Sequence, residues 1–245
     1  MSDNLEVRRN GAVEEIVFAR PDKKNALTLD MYSAAAEALE SASNCDEVRC
    51  VAFSGAGGHF TAGNDLMDFM QDPPTDESSP VFQFLMALRN CPHPVVAAVD
   101  GYAIGIGTTM LLHCDLVWAS DTAQFRLPFV DLGVVPEAGS SAILPAMAGH
   151  RKAAELLFFG DFFDTDTARE VGIINGVVDD SVEEYALQRA RELADKPQEA
   201  LRLTKELLRR PDEAKVDEAM QQEAEIFVER LQSQEFMEAV ASFQG

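Results

Sequence analysis

A single carboxylate, Glu137, stands out because the residues around it are small or apolar. It lies in the run LGVVPEAGSS over residues 132–141, which contains no cationic residue. Pro136 fixes the backbone before it, and Ser140 and Ser141 can open a helix after it. A carboxylate on a stiff turn in apolar surroundings loses solvation, which raises its pKa toward the range where it exchanges protons at neutral pH. The segment alone is equally compatible with a helix-start acid that the helix dipole stabilises.

Two glycine-bearing segments upstream each join a buried strand to a helix. They are GGHFTAGNDL over residues 57–66 and DGYAIGIGTT over residues 100–109. Glycines at such junctions let backbone N–H groups point outward at a helix N-terminus. If the two junctions face each other, two N–H groups can donate to one oxygen, which is the geometry of an oxyanion hole. Each segment alone is also compatible with ordinary turn chemistry, and the second lacks the Gly-x-Gly-x-x-Gly spacing of a dinucleotide site.

The composition indicates a folded and strongly acidic protein. Hydrophobic residues make up 47% of the 245 residues, and the net charge is -22. A surface this acidic repels phosphate backbones, so we expect no nucleic-acid partner. Apolar runs are too short to span a membrane, and residues 1–6 are too polar for a secretory signal, so we expect no membrane partner and a cytoplasmic location. The cysteines and histidines lack metal-ligand spacing, so no metal site is expected, and the lone histidines are interpreted as structural.

The elements that must position these residues follow an α/β pattern. Strands are expected at residues 5–8, 13–18, 50–54, 94–99, 116–119 and 176–178. Helices are expected at residues 29–43, 81–90, 107–113, 140–148, 151–158, 165–170, 182–194, 198–209, 213–231 and 233–243. Asn10-Gly11 predicts a hairpin turn between the first two strands. Strands alternate with helices up to Pro136 and helices dominate afterwards, so we expect an α/β core and a helical C-terminal module that meet near Lys196-Pro197.

Six short motifs lie along the chain in an order typical of one protein family. They are RPDKKNAL at 20–27, FTAGNDL at 60–66, PVVAAVDG at 94–101, CDL at 114–116, AQF at 123–125 and LG at 132–133. Together they resemble the crotonase superfamily, the enoyl-CoA hydratases and isomerases. The resemblance implies a spiral of repeated strand-strand-helix units over residues 1–195. It also implies a helical C-terminal trimerisation region over residues 196–245, which would assemble a homotrimer or a dimer of trimers.

The resemblance further implies a CoA thioester as substrate, so that coenzyme A is part of the substrate and no separate cofactor is expected. The backbone N–H groups of Asn64 and Ile106 are expected to hold the thioester oxygen as it becomes an enolate. Lys23 and Lys24 supply local cations for the CoA phosphates in spite of the acidic surface. The residues expected to bind substrate are Lys23, Lys24, Ala26, Ala62, Gly63, Asp65, Leu66 and Gly105.

The chain departs from the hydratase pattern at the two glutamates that family hydratases use to activate water. Thr109 and Phe129 stand at those positions, whereas Glu137 resembles the catalytic glutamate of the Δ3,Δ2-enoyl-CoA isomerases. One carboxylate can take a proton from C2 and return one at C4, so we expect conversion of a 3-enoyl-CoA to the 2-trans isomer. The alternatives are a hydratase-like or other acyl-CoA activity, and a catalytically silent acyl-CoA-binding protein. Asp131 is either a second proton handler or a structural acid.

Overall fold

The computed structural model describes residues 2–76 and 78–243, and within this part strands and helices alternate along the first half of the chain. The strands are β1 (Leu5–Asn10), β2 (Val13–Phe18), β3 (Cys50–Gly55), β4 (Val95–Val99), β5 (Tyr102–Ile104), β6 (Leu116–Ser120), β7 (Gln124–Arg126) and β8 (Gly176–Val178). The helices are α1 (Leu29–Ser43), α2 (Leu66–Gln71), α3 (Pro80–Asn90), α4 (Ile106–Thr109), α5 (Ser140–Ala148), α6 (His150–Phe159), α7 (Thr165–Glu170), α8 (Val182–Ala194), α9 (Gln198–Arg209), α10 (Glu213–Leu231) and α11 (Gln234–Phe243). Short 3-10 turns cover Pro21–Lys23 and Met110–His113.

The main sheet has the strand order β1-β2-β3-β4-β6-β8. The β1–β2 pair is antiparallel, with Asn10 opposite Val13, and the remaining pairs are parallel. Gly11 takes the positive φ of +62° that the tight turn requires, so the predicted hairpin is confirmed. Because the parallel strands end at one edge of the sheet, the segments that follow β3 and β4 emerge side by side.

A second, smaller layer runs beside the main sheet and holds the two glycine-bearing segments. The strands β5 and β7 pair in parallel within it. Isolated bridges extend the layer on both sides, namely Leu27 with Asn64, Thr61 with Ala103 and Phe125 with Phe163. Between β3 and β7 the chain thus adds a strand to the main sheet and then a strand or bridge to the second layer, which is the repeated strand-strand-helix unit that the resemblance implies.

The two faces of the main sheet are covered by different helices. Alternate residues of β3 separate accordingly, since Val51 and Phe53 enter the main core while Cys50 and Ala52 face the other way. The second face is covered by α8, which presents small residues at a spacing of four. These residues are Val182, Ala186, Ala190 and Ala194. Buried apolar surface on both faces fixes the register of the strands, and with it the position of the segments at their ends.

The C-terminal helical region follows α8 and consists of α9, α10 and α11. The boundary predicted at Lys196-Pro197 falls in the connection between α8 and α9. Helix α10 packs against α5, the helix that begins just after Glu137. None of the described helices has the length and apolar character needed to cross a membrane. The α/β core and the helical C-terminal region expected from the sequence are both confirmed.

Candidate active site

The two glycine-bearing segments lie against each other and are joined by backbone hydrogen bonds. The N–H of Phe60 donates to the carbonyl of Asp100 at 2.7 Å, and the N–H of Thr61 donates to the carbonyl of Tyr102 at 2.8 Å. The N–H of Ile104 returns a bond to the carbonyl of Thr61 at 3.1 Å. These bonds lock the segments together, so the groups that follow each of them hold fixed relative positions.

Glycine permits this close approach at two points. A Cβ at Gly63, where φ is +90°, would lie 2.8 Å from the carbonyl oxygen of Ile104. A Cβ at Gly107 would lie 2.6 Å from Cγ2 of Thr61. Gly105 is needed for its backbone instead, because φ of +57° with ψ of -118° is a conformation that side chains strongly disfavour. A larger residue at any of these three positions would move one segment relative to the other.

The backbone N–H groups of Asn64 and Ile106 are both available for a ligand. Ile106 is the first residue of α4, where an N–H has no partner within the helix. Asn64 lies between Gly63, whose carbonyl accepts from Leu27, and Asp65, whose N–H donates to Leu27. Because the groups on either side of it bond to Leu27, the Asn64 N–H points away from Leu27. Within the described residues neither N–H donates a hydrogen bond, so the pair can serve as an oxyanion hole.

A cavity of about 250 Å³ opens at these two amides. Six of the residues predicted to contact substrate line it, namely Ala62, Gly63, Asn64, Leu66, Gly105 and Ile106. Phe129, at one of the hydratase glutamate positions, forms part of the apolar wall. The C-terminal helices close the cavity with Phe227 and Leu231 of α10 and Phe236 of α11. Among the described residues that line the cavity none is a carboxylate, so a described carboxylate that acts on a bound ligand must approach from beyond this wall.

The predicted CoA-binding lysines lie on the exposed turn before Asn25. Lys23 ends the first 3-10 turn, and Lys24 follows in a left-handed conformation with φ of +49°. The ammonium of Lys24 lies 4.7 Å from the centre of the Tyr102 ring, a cation–π contact. The carbonyl of Lys24 accepts from the N–H of Ala62 at 2.9 Å. The lysine turn is therefore attached to the first glycine-bearing segment, although neither lysine lines the cavity itself.

Ala26 and Asp65 are connected through Arg20, which the sequence did not single out. The Arg20 guanidinium donates to the carbonyl of Ala26 at 3.1 Å and to the Asp65 carboxylate at 2.6 Å. Burial acts to raise the pKa of Asp65, but the bond from Arg20 and the α2 amides that Asp65 caps outweigh it and lower that pKa. Asp65 is thus an ionised helix cap, and its predicted contact with substrate stays a prediction.

The Glu137 side chain is almost completely buried, with 3% of its surface exposed. Its Oε1 atom has no hydrogen-bond partner among the described residues. Burial raises the pKa of Glu137 to about 8, the Glu223 carboxylate adds to the rise, and the Thr109 hydroxyl opposes it. A carboxyl group with this pKa can both accept and return a proton near neutral pH.

The turn that carries Glu137 is held by hydrogen bonds to its backbone. Ser140 donates to the Glu137 carbonyl through its hydroxyl at 2.6 Å and its N–H at 3.1 Å. Ala138 adopts a left-handed φ of +62°, which is unusual for a residue with a side chain. Nε2 of His113 lies 2.7 Å from the carbonyl of Ala138. Burial lowers the pKa of His113 to about 4, so the ring is neutral and Nε2 carries the proton it donates.

Glu137 is linked to the two available amides by Thr109 and Tyr32. Thr109 interacts with the Glu137 carboxyl group and lies three residues after Ile106 on the same turn of α4. Residues so spaced are neighbours on a helix, with Cβ atoms about 5–6 Å apart. The Tyr32 hydroxyl donates to the side chain of Asn64. Burial, and after it the charge of Glu137, raise the pKa of Tyr32 well above its usual value. The Glu137 side chain therefore lies near the segments that carry both amides.

Two other acids, Asp131 and Glu223, form polar contacts near this site. Asp131 forms an ion pair with Arg126 at 2.9 Å, and 38% of its side chain is exposed, which favours the structural one of the two alternatives that the sequence left open. Glu223 of α10 was not predicted to be near the site. Its Oε2 accepts from the N–H of Gly139 at 2.6 Å, and its Oε1 accepts from the N–H of Ser141 at 2.8 Å. The signal in the sequence that could have identified Glu223 is an acidic residue at a position on the apolar face of α10.

The enoyl-CoA hydratase/isomerase family profile matches residues 8–244, and the chain belongs to this family. It is 36% identical to enoyl-CoA delta isomerase 2 of Rattus norvegicus over 99% of this chain, and spans 63% of that relative's length. Among solved structures, Pseudomonas aeruginosa OdaA superposes with a TM-score of 0.96 at 43% identity, covering 99% of both chains. An enoyl-CoA hydratase/isomerase from Pseudoalteromonas atlantica T6c gives 0.94 at 40% identity, covering 99% of this chain and 97% of the other. The predicted family and the crotonase-type fold are confirmed.

Proposed function

We propose that the protein is an enoyl-CoA isomerase that moves the double bond of a 3-enoyl-CoA to the 2-trans position. The observation that carries this proposal is the buried Glu137 carboxyl group, with its pKa near 8 and one oxygen without a partner. Among the described residues that line the cavity there is no carboxylate to activate water. The relative from Rattus norvegicus is named as an enoyl-CoA delta isomerase, which agrees with this assignment.

In the first step the Glu137 carboxylate takes a proton from C2 of the bound thioester. The electrons of the C2–H bond move into the thioester carbonyl and form a dienolate, whose oxygen accepts from the N–H groups of Asn64 and Ile106. Each such donor contributes about 10²- to 10³-fold to the rate. The protonated Glu137 then returns the proton to C4, and the double bond settles between C2 and C3. No water is consumed and no electrons are exchanged, so one acid/base suffices.

The reaction requires the acyl chain to extend from the cavity to Glu137. The α4 turn offers this route, since Ile106 lies at the cavity and Thr109 interacts with Glu137. Phe129 and Phe227 form apolar walls beside the oxyanion hole. Exclusion of water by these side chains strengthens the dipoles that act on the dienolate. Because the donors are backbone groups, this stabilisation does not depend on the side chains at the two positions.

The CoA portion of the substrate would bind outside the cavity, at the lysine turn. Lys23 and Lys24 would face the CoA phosphates, with Ala26 and Asp65 nearby, and the reaction needs no separate cofactor. Assembly through residues 196–245 into a homotrimer or a dimer of trimers stays a prediction. Exposed apolar side chains on α9 support it, with Leu207 62% and Leu208 77% exposed. The cytoplasmic location also stays a prediction.

The proposal is tested by assaying wild type, Glu137→Gln and a matched control, Asp131→Asn, on a 3-enoyl-CoA and a 2-enoyl-CoA. We expect Glu137→Gln to lose about 10²- to 10⁴-fold in kcat on the 3-enoyl substrate. Asp131→Asn should lose less than about tenfold, because the exposed ion pair it breaks contributes little. Equal activity of wild type and Glu137→Gln would refute the mechanism. Faster water addition to the 2-enoyl substrate would favour a hydratase, and binding without turnover would favour a silent acyl-CoA-binding protein.

A further inference from the structure

We propose that Glu223, on the C-terminal helix α10, is a positioning residue for the isomerisation. It holds the turn that carries Glu137 through two backbone amides and keeps a negative charge beside the Glu137 carboxyl group. This inference rests on the proposed function, because it assigns Glu223 a part in the same proton transfer. It makes the chemistry depend on a residue of the C-terminal helical region of the same chain.

Helix α5 begins without a capping side chain of its own. The N-cap position of α5 is Gly139, which has no side chain to accept a hydrogen bond from the first turn. A Cβ at Gly139 would lie 2.9 Å from Cγ1 of Val216 and 3.1 Å from Cγ of Met220, so α10 packs too closely for a capping side chain there. The Glu223 carboxylate supplies the cap instead, with one oxygen on Gly139 and the other on Ser141. Glu223 is itself buried, at 6% exposure.

The groups that surround Glu137 determine the charge that acts on it. Titratable groups face it from α1, from the 3-10 turn after α4, and from α10, namely Tyr32, His113 and Glu223. Tyr32 is neutral because burial raises its pKa well above the usual value, and His113 is neutral because burial lowers its pKa to about 4. Burial raises the pKa of Glu223 as well, and the bonds from Ser141 and Gly139 oppose that rise only in part. Both oxygens of Glu223 accept from backbone N–H groups, which is the pattern of an ionised carboxylate. Among the described residues, Glu223 is therefore the charged group that acts on Glu137.

A fixed negative charge next to Glu137 has a direct chemical effect. It disfavours the Glu137 carboxylate and so makes that carboxylate a stronger base toward the proton at C2. The two backbone amides also neutralise part of the Glu223 charge and keep its carboxylate from turning toward Glu137. The same side chain thus places the base and increases its proton affinity, which a purely structural cap would not do.

The test compares wild type, Glu223→Gln, Glu223→Asp and the matched control Glu225→Gln, in which an exposed acid of the same helix loses its charge. The measurements are kcat and the pH dependence of kcat/KM with a 3-enoyl-CoA. In wild type, kcat/KM should rise with pH along an acid limb whose midpoint lies near the Glu137 pKa of about 8. Glu223→Gln should move the limb to lower pH by about one unit, because it removes a like charge from beside Glu137. It should also lower the plateau kcat, because a glutamine oxygen can replace only one of the two carboxylate oxygens that accept from Gly139 and Ser141. Glu225→Gln should match wild type.

Glu223→Asp keeps the negative charge but shortens the side chain. It therefore distinguishes the effect of the charge from the effect of the two hydrogen bonds to the backbone. It should lower kcat and leave the limb in place, and it keeps the test decisive if Glu223→Gln does not fold. A limb that moves equally in both variants, or in neither, would overturn the role of the charge.

A direct titration separates this inference from the proposed function. If wild type does not isomerise the 3-enoyl-CoA, the proposed function fails. The inference is then decided by carbon NMR of glutamate-labelled protein, with the Glu137 signal assigned by Glu137→Gln. A lower Glu137 pKa in Glu223→Gln than in wild type supports the coupling, and an unchanged pKa overturns it.

Discussion

Glu137→Gln should stabilise the folded protein while it removes the proposed activity. The pKa of Glu137 is raised from its ordinary value of 4.5 to about 8, first by burial and then by the Glu223 carboxylate. Between these two pH values the folded state holds a proton that the unfolded chain has already released. Linkage therefore requires that the stability of the wild type fall as pH rises through this window, and a glutamine removes the effect.

The magnitude follows from the two pKa values of Glu137. The gap between 4.5 and about 8 corresponds to about 5 kcal/mol, at roughly 1.4 kcal/mol per pH unit. The Glu137→Gln variant should gain about 3 kcal/mol over wild type at pH 7, and close to 5 kcal/mol at pH 9. Near pH 4 the pH-dependent gain disappears. A buried glutamine leaves a polar atom without a hydrogen-bond partner, and so does the protonated glutamate. The free-energy cost of that unpaired atom therefore largely cancels between the variant and wild type.

Urea unfolding followed by circular dichroism, at one protein concentration and at several pH values between about 4 and 9, measures this difference. Glu225→Gln, which removes an exposed acid, should give the same difference from wild type at every pH. The reasoning would be refuted if the stability curves of wild type and Glu137→Gln ran parallel over the whole range, because Glu137 would then titrate alike in both states.

Two further variants test the CoA contact and the oxyanion hole. Lys23→Glu should raise KM for the thioester about three- to tenfold at low salt with kcat unchanged, and the effect should shrink as salt screens the phosphate contact; a KM equal to that of wild type in steady-state assays would contradict that role. Gly105→Ala should lower kcat about 100-fold, because a side chain at φ of +57° displaces the N–H of Ile106. Gly11→Ala also places a side chain at positive φ, +62° in the hairpin turn, and should cost about 1–2 kcal/mol of stability without loss of kcat.

The bounds of helices and strands could be predicted well where an element is long enough to show its hydrophobic periodicity. Helix α1 agrees with its predicted bounds, 29–43, because its apolar periodicity is unbroken over four turns. The strands β5 and β7 were not predicted, since each has three residues and cannot show an alternating pattern. Their pairing is decided by neighbours distant in sequence, such as Phe163 opposite Phe125.

The candidate site could be predicted where it depends on backbone turns and not where it depends on long-range contacts. The glycines around Asn64 and Ile106 mark the two junctions in the sequence itself. Arg20, which connects Ala26 to Asp65, carries no local signal because its partners are brought to it by the fold. Glu223 gave a signal only as an acid at a buried position of a helix. Which amides it caps depends on how α10 packs on α5.

The position of α10 near the end of the described chain determines when the site is completed during synthesis. The main sheet and both glycine-bearing segments leave the ribosome before α10 and α11, since a nascent chain emerges from its N-terminus. Until then the amides of Gly139 and Ser141 lack the carboxylate that caps them, and the cavity lacks the side chains of Phe227 and Phe236. The order of synthesis therefore adds the cap of α5 and the C-terminal wall of the cavity after the two glycine-bearing segments have been made.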